Sequence, residues 1–201
     1  KVSEFSFSPY FNYNEIWYNK SIVKSFNPAD STVSTNDVNG FKAFRFFNTG
    51  VTLNTRLIGI FNTRMLGVKG FRHTVTPSLT YTYQPDFSEP KWNAYGSYVG
   101  VNGQEFKYSF YEREVFGTAP AGETQALSFN VSNVFEMKVK DTDSTDRKFQ
   151  LLNLDAGIGY NFAADSLNFS EILLGYRTQI GSFLNIGGGA TFNLYKFENG
   201  T

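Results

Sequence analysis

Apolar and polar residues alternate one by one along most of this chain. The clearest run is Thr74-Val75-Thr76-Pro77-Ser78-Leu79-Thr80-Tyr81-Thr82-Tyr83-Gln84, apolar at odd positions and polar at even ones. Successive side chains of a strand point to opposite faces, so the pattern predicts a strand with one oily and one wet face. Leu127, Phe129, Val131, Phe135, Met137 and Val139 repeat it against Ser128, Asn130, Ser132, Glu136 and Lys138. So do Leu152, Leu154, Ala156, Ile158, Tyr160 and Phe162 against Asn153, Asp155, Gly157, Gly159 and Asn161. Ile172, Leu174, Tyr176 and Ile180 oppose Gly175, Arg177 and Gln179; Leu184, Ile186, Gly188, Ala190, Phe192 and Leu194 oppose Asn185, Gly187, Gly189, Thr191 and Asn193. In the first half, Phe5, Phe7, Phe11, Tyr13 and Trp17 share one parity, as do Phe47, Val51, Leu53 and Leu57. The stretch 105–116 is the weakest, because Glu112 and Glu114 share parity with Phe106, Tyr108 and Phe110. The pattern predicts about eight strands, each long enough for the roughly 9–11 residues of a tilted membrane strand. Helical periodicity is essentially absent. Pro9 and Pro77 fall inside predicted strands, where a missing N–H normally marks an edge.

The segments between strands differ in length. Residues 19–40 and 85–104 are long and rich in Asn, Ser, Asp, Gly and Pro, whereas 117–123 and 163–168 are short. In an up-and-down meander, successive connections fall on alternate sides. The loops 19–40, 85–104 and 140–148 then share one side with the Gly181-Ser182 turn, and the short turns share the other with 62–72. Long loops on one rim and short turns on the other fit an outer-membrane barrel, with the long loops extracellular.

Composition sharpens this picture. Among 201 residues are 22 Phe, 12 Tyr and 2 Trp, yet mean hydropathy is only −0.30. Strict alternation is what makes a chain both very aromatic and polar on average. Lys+Arg and Asp+Glu number 18 each, so no general electrostatic hold on nucleic acid is expected. The absence of cysteine excludes disulfides, zinc-finger spacings and thiol chemistry. No run approaches 18 apolar residues, which argues against a transmembrane helix but not against a barrel. The chain begins at Lys1 without a leader pattern, as expected of a processed chain or an internal segment.

Alternation alone also suits a soluble sandwich or small barrel whose apolar face turns inward. Three features favour the membrane. The polar face is mostly Ser, Thr, Asn, Gly and Gln; aromatics such as Trp17, Tyr18, Tyr83, Phe87, Trp92, Tyr160, Phe162 and Tyr195 gather near strand ends as girdles do; and the strands are long. Leu79, Tyr81, Phe129, Val131, Leu154, Ile158, Leu174 and Ile186 are then expected to face lipid. Asn130, Ser132, Glu136, Asn153, Asp155, Arg177, Gln179 and Asn193 are expected to face the lumen.

Candidate chemistry is sparse. His73, the only histidine, has no nucleophile or carboxylate tied to it by sequence and reads as a hydrogen-bonding turn or rim residue. Asp141, Asp143 and Asp146 lie in one loop but lack the Gly and distal Glu of an EF-hand, so a solvated hairpin loop is expected. Gly187-Gly188-Gly189 sits mid-strand and suits close packing or a bend rather than a phosphate cradle. No metal, cofactor or catalytic residue is expected.

Three segments carry a resemblance. They are Phe71-Arg72-His73-Thr74-Val75-Thr76-Pro77 through Tyr81 with Tyr83-Gln84-Pro85-Asp86-Phe87; Asn133 to Lys140; and Gly159-Tyr160-Asn161-Phe162-Ala163-Ala164-Asp165-Ser166 through Ser170. They resemble the LptD (OstA/Imp) family of outer-membrane lipopolysaccharide assembly proteins in its Bacteroidetes form. Arg72, His73 and Pro77 belong to the first motif, and Asn161, Asp165 and Ser166 to the third. The likeness spans residues 71–195 with gaps, and the first 70 residues match in style. It implies a very large barrel of about 26 strands. That barrel would be plugged by an LptE-like lipoprotein and fed with lipopolysaccharide along a periplasmic bridge of partner proteins. Lipopolysaccharide would leave through a seam between the first and last strands into the outer leaflet. On this reading residues 1–201 are one internal segment of barrel wall, without a periplasmic jellyroll. Two other classes stay open: a self-contained eight-stranded barrel acting as a pore, adhesin or structural protein, and a soluble β-sandwich binding module.

Overall fold

A computed structural model describes residues 5–65, 67–140, 146–180 and 184–196. Alternation is realised as ten strands: β1 (Ser6–Asn27), β2 (Thr32–Asn54), β3 (Leu57–Met65), β4 (Val68–Gln84), β5 (Tyr95–Val99), β6 (Glu105–Ser109), β7 (Thr124–Lys140), β8 (Asp146–Asn161), β9 (Ile172–Ile180) and β10 (Leu184–Phe192). The sole helical element among the described residues is a 3-10 turn, Pro90–Trp92. Among the described residues no helix is long and apolar enough to cross a membrane. Eight strands form one antiparallel sheet in the order β1-β2-β4-β7-β8-β9-β10, with β3 also paired to β4; β5 and β6 form a separate hairpin. Among the described residues β1 and β10 do not pair, so the sheet is seen as an open order and not as a closed barrel.

Both prolines find physical explanations. Pro9 lies in β1, at one end of the strand order, where an edge tolerates a missing donor. Pro77 lies in the interior strand β4, where its carbonyl accepts the Thr55 N–H at 3.3 Å. Thr55 is where β2 gives way to β3, so the ladder breaks opposite the residue that cannot donate.

The connections depart from expectation. Residues 19–40 are not a loop: β1 and β2 run on to a turn at 28–31. The polar residues there pair across the hairpin, Ser25 Oγ with Ser34 Oγ at 2.7 Å and Lys20 with Asp37 at 3.9 Å. Two Asx turns close it. Asn27 Oδ1 accepts the Ala29 N–H at 3.1 Å, and Asp30 Oδ1 accepts the Thr32 N–H at 3.1 Å. At 22 and 23 residues, β1 and β2 would extend about 70 Å at strand rise, well beyond a bilayer crossing. Residues 85–104 and 117–123 are not separate connections either. With β5 and β6 they form one excursion from β4 to β7, and 105–116 supplies no strand of the eight-stranded sheet. Removing that strand makes β4 and β7 neighbours. The connection from Lys140 to Asp146 therefore leaves the end of the sheet opposite to 85–123, not the same end as expected.

The chain divides into two compact units. One comprises 10–49 and 83–124 and closes around an aromatic core. Phe87 and Phe44 are 0 % and 2 % exposed. Phe44 stacks on Tyr111 at 4.6 Å, and Phe87 meets Trp92 at 4.8 Å and Phe47 at 5.6 Å. Tyr18, Phe87 and Trp92, expected as interfacial girdle residues, thus belong to this cluster. Asp86 ties the excursion together, its Oδ1 accepting the N–H of Ser88 and of Gly122, both at 2.8 Å. Gly122 has φ +84°, a conformation open to glycine without strain. Burial pushes the Asp86 carboxyl up, but hydrogen bonds from Ser88 and Gly122 and the Lys107 charge outweigh it, so its pKa lies below the ordinary aspartate value.

The other unit comprises 1–9, 50–82 and 125–201 and is the two-faced part of the sheet. Among the described residues, the buried hydrophobic ones all belong to 10–49 and 83–124 and none to this unit.

Candidate functional site

Residues directly opposite in neighbouring strands share a face, so strand register sorts the sheet unit. One row runs Ser132–Asp155–Gly175–Gly189, and the rows beside it are Asn130–Gly157–Leu173–Thr191 and Val134–Asn153–Arg177–Gly187. Gln179 pairs with Asn185 on the same face. The opposite face carries Phe129–Ile158, Val131–Ala156–Leu174–Ala190 and Asn133–Leu154–Tyr176–Gly188, with Ile186 against Thr178. By alternation along β4, Leu79 and Tyr81 share the parity of Val75 and Pro77.

Between Phe135 and Glu136 the register slips, because β8 carries an extra residue at Leu151. This bulge changes parity along β8. It keeps Glu136, Lys138, Gln150, Lys148 and Asp146 on the polar face, and Met137 with Phe149 on the apolar one. Without it, Gln150 and Lys148 would join Leu152 on the oily side.

The polar face is hydrogen-bonded rather than packed. Asn153 Nδ2 donates to Asp155 Oδ2 at 3.3 Å, and Asn130 lies over Gly157, where an added Cβ would strike its side-chain amide. Towards the Lys140 end of β7, charges take over. Arg72 grips Glu136 with two donors, Nε to Oε2 and Nη2 to Oε1, the latter at 2.7 Å. Asp146 accepts from both Lys69 and Lys138, the second at 2.5 Å. These groups border a cleft of about 260 Å³ lined by Ile60, Asn62, Lys69, Gly70, Phe71, Arg72, Glu136, Met137, Lys138 and Lys148.

His73 is not a turn residue. It lies within β4, its ring stacked on Phe135 at 4.1 Å and 8°, with Nε2 3.1 Å from Asn133 Oδ1. It therefore shares the apolar face with Phe135, and no nucleophile is paired with it. Asn161 closes the β8–β9 connection. Its Oδ1 accepts the N–H of Gln125 and of Ala163, both at 3.1 Å, and its carbonyl accepts Asn168 Nδ2 at 2.9 Å. Asp165 and Ser166 are exposed in that connection. Asn193 lies beyond β10, where its Oδ1 accepts the Tyr195 N–H at 2.8 Å. It ends a strand rather than extending the polar rows. Of the three loop aspartates, Asp141 and Asp143 lie outside the described residues, and Asp146 is committed to two lysines. Among the described residues no three metal-ligating side chains converge.

Sequence reasoning missed the ion pairs that link β4, β7 and β8, Arg72 with Glu136 and both Lys69 and Lys138 with Asp146. They become legible only once the three strands are known to be neighbours.

The described residues thus build an antiparallel sheet with one apolar and one hydrogen-bonding face. The model of the family described as LptD protein matches residues 1–195, and the chain belongs to that family. LptD proteins are outer-membrane proteins of lipopolysaccharide transport and assembly. No curated protein and no solved structure matches the chain.

Proposed function

We propose that this chain forms part of the wall of the outer-membrane barrel translocon that inserts lipopolysaccharide into the outer leaflet. Leu79, Tyr81, Phe129, Val131, Leu154, Ile158, Leu174 and Ile186 face acyl chains. Asn130, Ser132, Glu136, Asn153, Asp155, Arg177 and Gln179 face a wet interior, with Asn193 at the end of the wall. One observation supports this above others: among the described residues the sheet unit has no buried hydrophobic residue, while Phe61, Phe129 and Leu174 on the apolar face are 68 %, 44 % and 41 % exposed. Apolar surface of that extent needs an apolar partner, and acyl chains supply one. Strand pairing meanwhile satisfies the backbone groups that lipid cannot.

The long excursion 85–123 and the connections at 28–31 and 162–171 lie on the extracellular side. The shorter links Met65–Val68, Lys140–Asp146 and Ile180–Leu184 lie on the periplasmic side. That β1 and β10 do not pair among the described residues favours a segment of a larger barrel over a self-contained one. An LptE-like plug and periplasmic bridge proteins are its partners.

Charge placed by face tests this. Phe129→Arg should cost about 2–4 kcal/mol of assembly free energy and deplete the protein from the outer membrane, whereas Ser132→Arg should assemble nearly normally. Equal tolerance at both positions would overturn the facing.

A further inference from the structure

An open strand edge is a row of N–H and C=O groups ready to pair with another strand. β1 stands at one end of the strand order, so among the described residues no strand covers its second edge. The excursion closes part of that edge. The Ile22 N–H donates to the Phe110 carbonyl at 2.9 Å, and the Lys24 N–H donates to Tyr108 Oη at 3.0 Å. Lys24 Nζ pairs with Glu112 at 2.5 Å and lies 5.4 Å from the centre of the Tyr108 ring. Further down β1, Tyr18 Oη accepts the Phe116 N–H at 3.0 Å and donates to the Gly117 carbonyl at 3.2 Å.

The same contact sets two apolar side chains beside the edge. Tyr18 stacks on Phe44 of β2 at 6.1 Å and on Phe116 at 6.5 Å, and among the described residues Phe116 does not stack on Phe44. Phe116 thus stands on the side of Tyr18 away from β2, where a neighbour of β1 would run. Phe116 is 75 % exposed and Val115 is 90 % exposed. Their turn is fixed by the Glu114 N–H on the Tyr111 carbonyl at 2.9 Å and the Gly117 N–H on the Glu114 carbonyl at 3.2 Å. Below Tyr18, β1 keeps about a dozen residues. That is enough to pair with a strand of the roughly 9–11 residues that cross a bilayer.

We propose that residues 108–117 are an edge cap on β1: they bar strand pairing from Tyr18 to Lys24, and Val115 and Phe116 seat the end of the wall strand that pairs with β1 below Tyr18. The assignment rests on the reading of this chain as part of a larger barrel and names where the adjoining strand stops. Trp17 Nε1 and Tyr13 Oη both donate to the Glu15 carboxylate, at 2.9 and 2.8 Å. Aromatic rings with polar ends so engaged suit the membrane boundary, which puts that boundary just below the cap. The adjoining strand ends as it leaves the bilayer, and β1 continues outward with its edge already closed.

The test places a photocrosslinking side chain, benzoylphenylalanine, at position 116 of the full-length protein in its outer membrane and maps the label by mass spectrometry. The label should fall within the same polypeptide, at the end of a strand outside 10–49 and 83–124. Label confined to lipid, to another polypeptide or to those two stretches would overturn the docking, as would no label at all. Label on β10 would keep the docking but overturn the larger barrel, because β1 would then close on β10 itself. Hydrogen exchange reads the cap separately. Tyr108→Phe keeps the ring but removes the acceptor of the Lys24 N–H, which should exchange about tenfold faster, as expected for one lost hydrogen bond. Unchanged exchange at Lys24 would overturn the cap. Phe116→Ser should raise exchange about tenfold at the labelled strand end, the scale of one lost apolar contact. Val101→Ser, at an exposed position elsewhere in the excursion, should leave that strand end unchanged. Equal exchange in these two variants would overturn the role of Phe116.

Discussion

The two units of this chain solve the same problem in opposite ways. Residues 10–49 and 83–124 bury Phe44, Phe87, Tyr18 and Tyr111 against each other, as a water-soluble fold must. The sheet unit shows the same alternation, and none of its large apolar side chains among the described residues is buried. Identical local patterning therefore leads to a closed core in one place and a bare oily face in the other. What differs is whether a second layer of chain is supplied. The excursion 85–123 brings Phe87, Trp92 and Tyr111 to Phe44 and Phe47, whereas Phe129 and Leu174 in the sheet unit stay 44 % and 41 % exposed.

The largest expected effect separates the units cleanly. Phe87→Ala removes a fully buried ring and should cost about 3–5 kcal/mol. Limited proteolysis should then cut within 85–123 while β7–β10 stay protected. Protection lost equally in both units would mean that they are not independent. Gly70→Ala acts in the other unit, where an added Cβ would lie 2.8 Å from the Phe61 carbonyl. Backbone must shift there, so hydrogen exchange should accelerate along β3 and β4, for a cost of about 1–3 kcal/mol.

Asp86→Asn comes next. The native carboxylate accepts two backbone N–H bonds, and the amide weakens them, at about 1–2 kcal/mol. Because the native pKa of Asp86 is lowered, its contribution is fully present above the ordinary aspartate value and is lost as pH falls through the lowered one. Denaturation of the excursion followed by tryptophan fluorescence should show that acid-side loss in the parent and not in the variant. The smallest effect is Glu136→Gln. The Arg72–Glu136 pair is part-exposed, so its loss should cost no more than about 1 kcal/mol, visible as a slight fall in the unfolding temperature of the assembled protein.

Much of the sheet was readable because a period of two needs only near neighbours to be recognised. Phe129 against Asn130 and Leu154 against Asp155 fall on the faces that their parity assigns. The rest depends on long-range pairing. Residues 105–116 alternate weakly enough to pass for a wall strand, but Tyr108 and Tyr111 are buried in a different unit. Once that strand is removed, the ends to which the links belong change, and β4 meets β7. The polar stretch 19–40 looked like a loop because Ser, Asn and Asp favour turns. Cross-strand pairs such as Ser25–Ser34 hold it extended instead. The β8 bulge that turns Lys148 and Asp146 towards Lys138 has no signature beyond a broken alternation near Leu151 and Leu152.

The facing of the sheet unit is the claim on which the account stands, and the lack of native cysteine makes it directly measurable. Single cysteines placed in turn at positions 129 to 132 and 154 to 157, each carrying a fluorophore in reconstituted bilayers, can be challenged with lipid-phase and aqueous quenchers. The account expects a period of two: lipid-phase quenching at 129, 131, 154 and 156, and aqueous quenching at 130, 132, 155 and 157. Uniform aqueous quenching, or the reverse alternation, would contradict it.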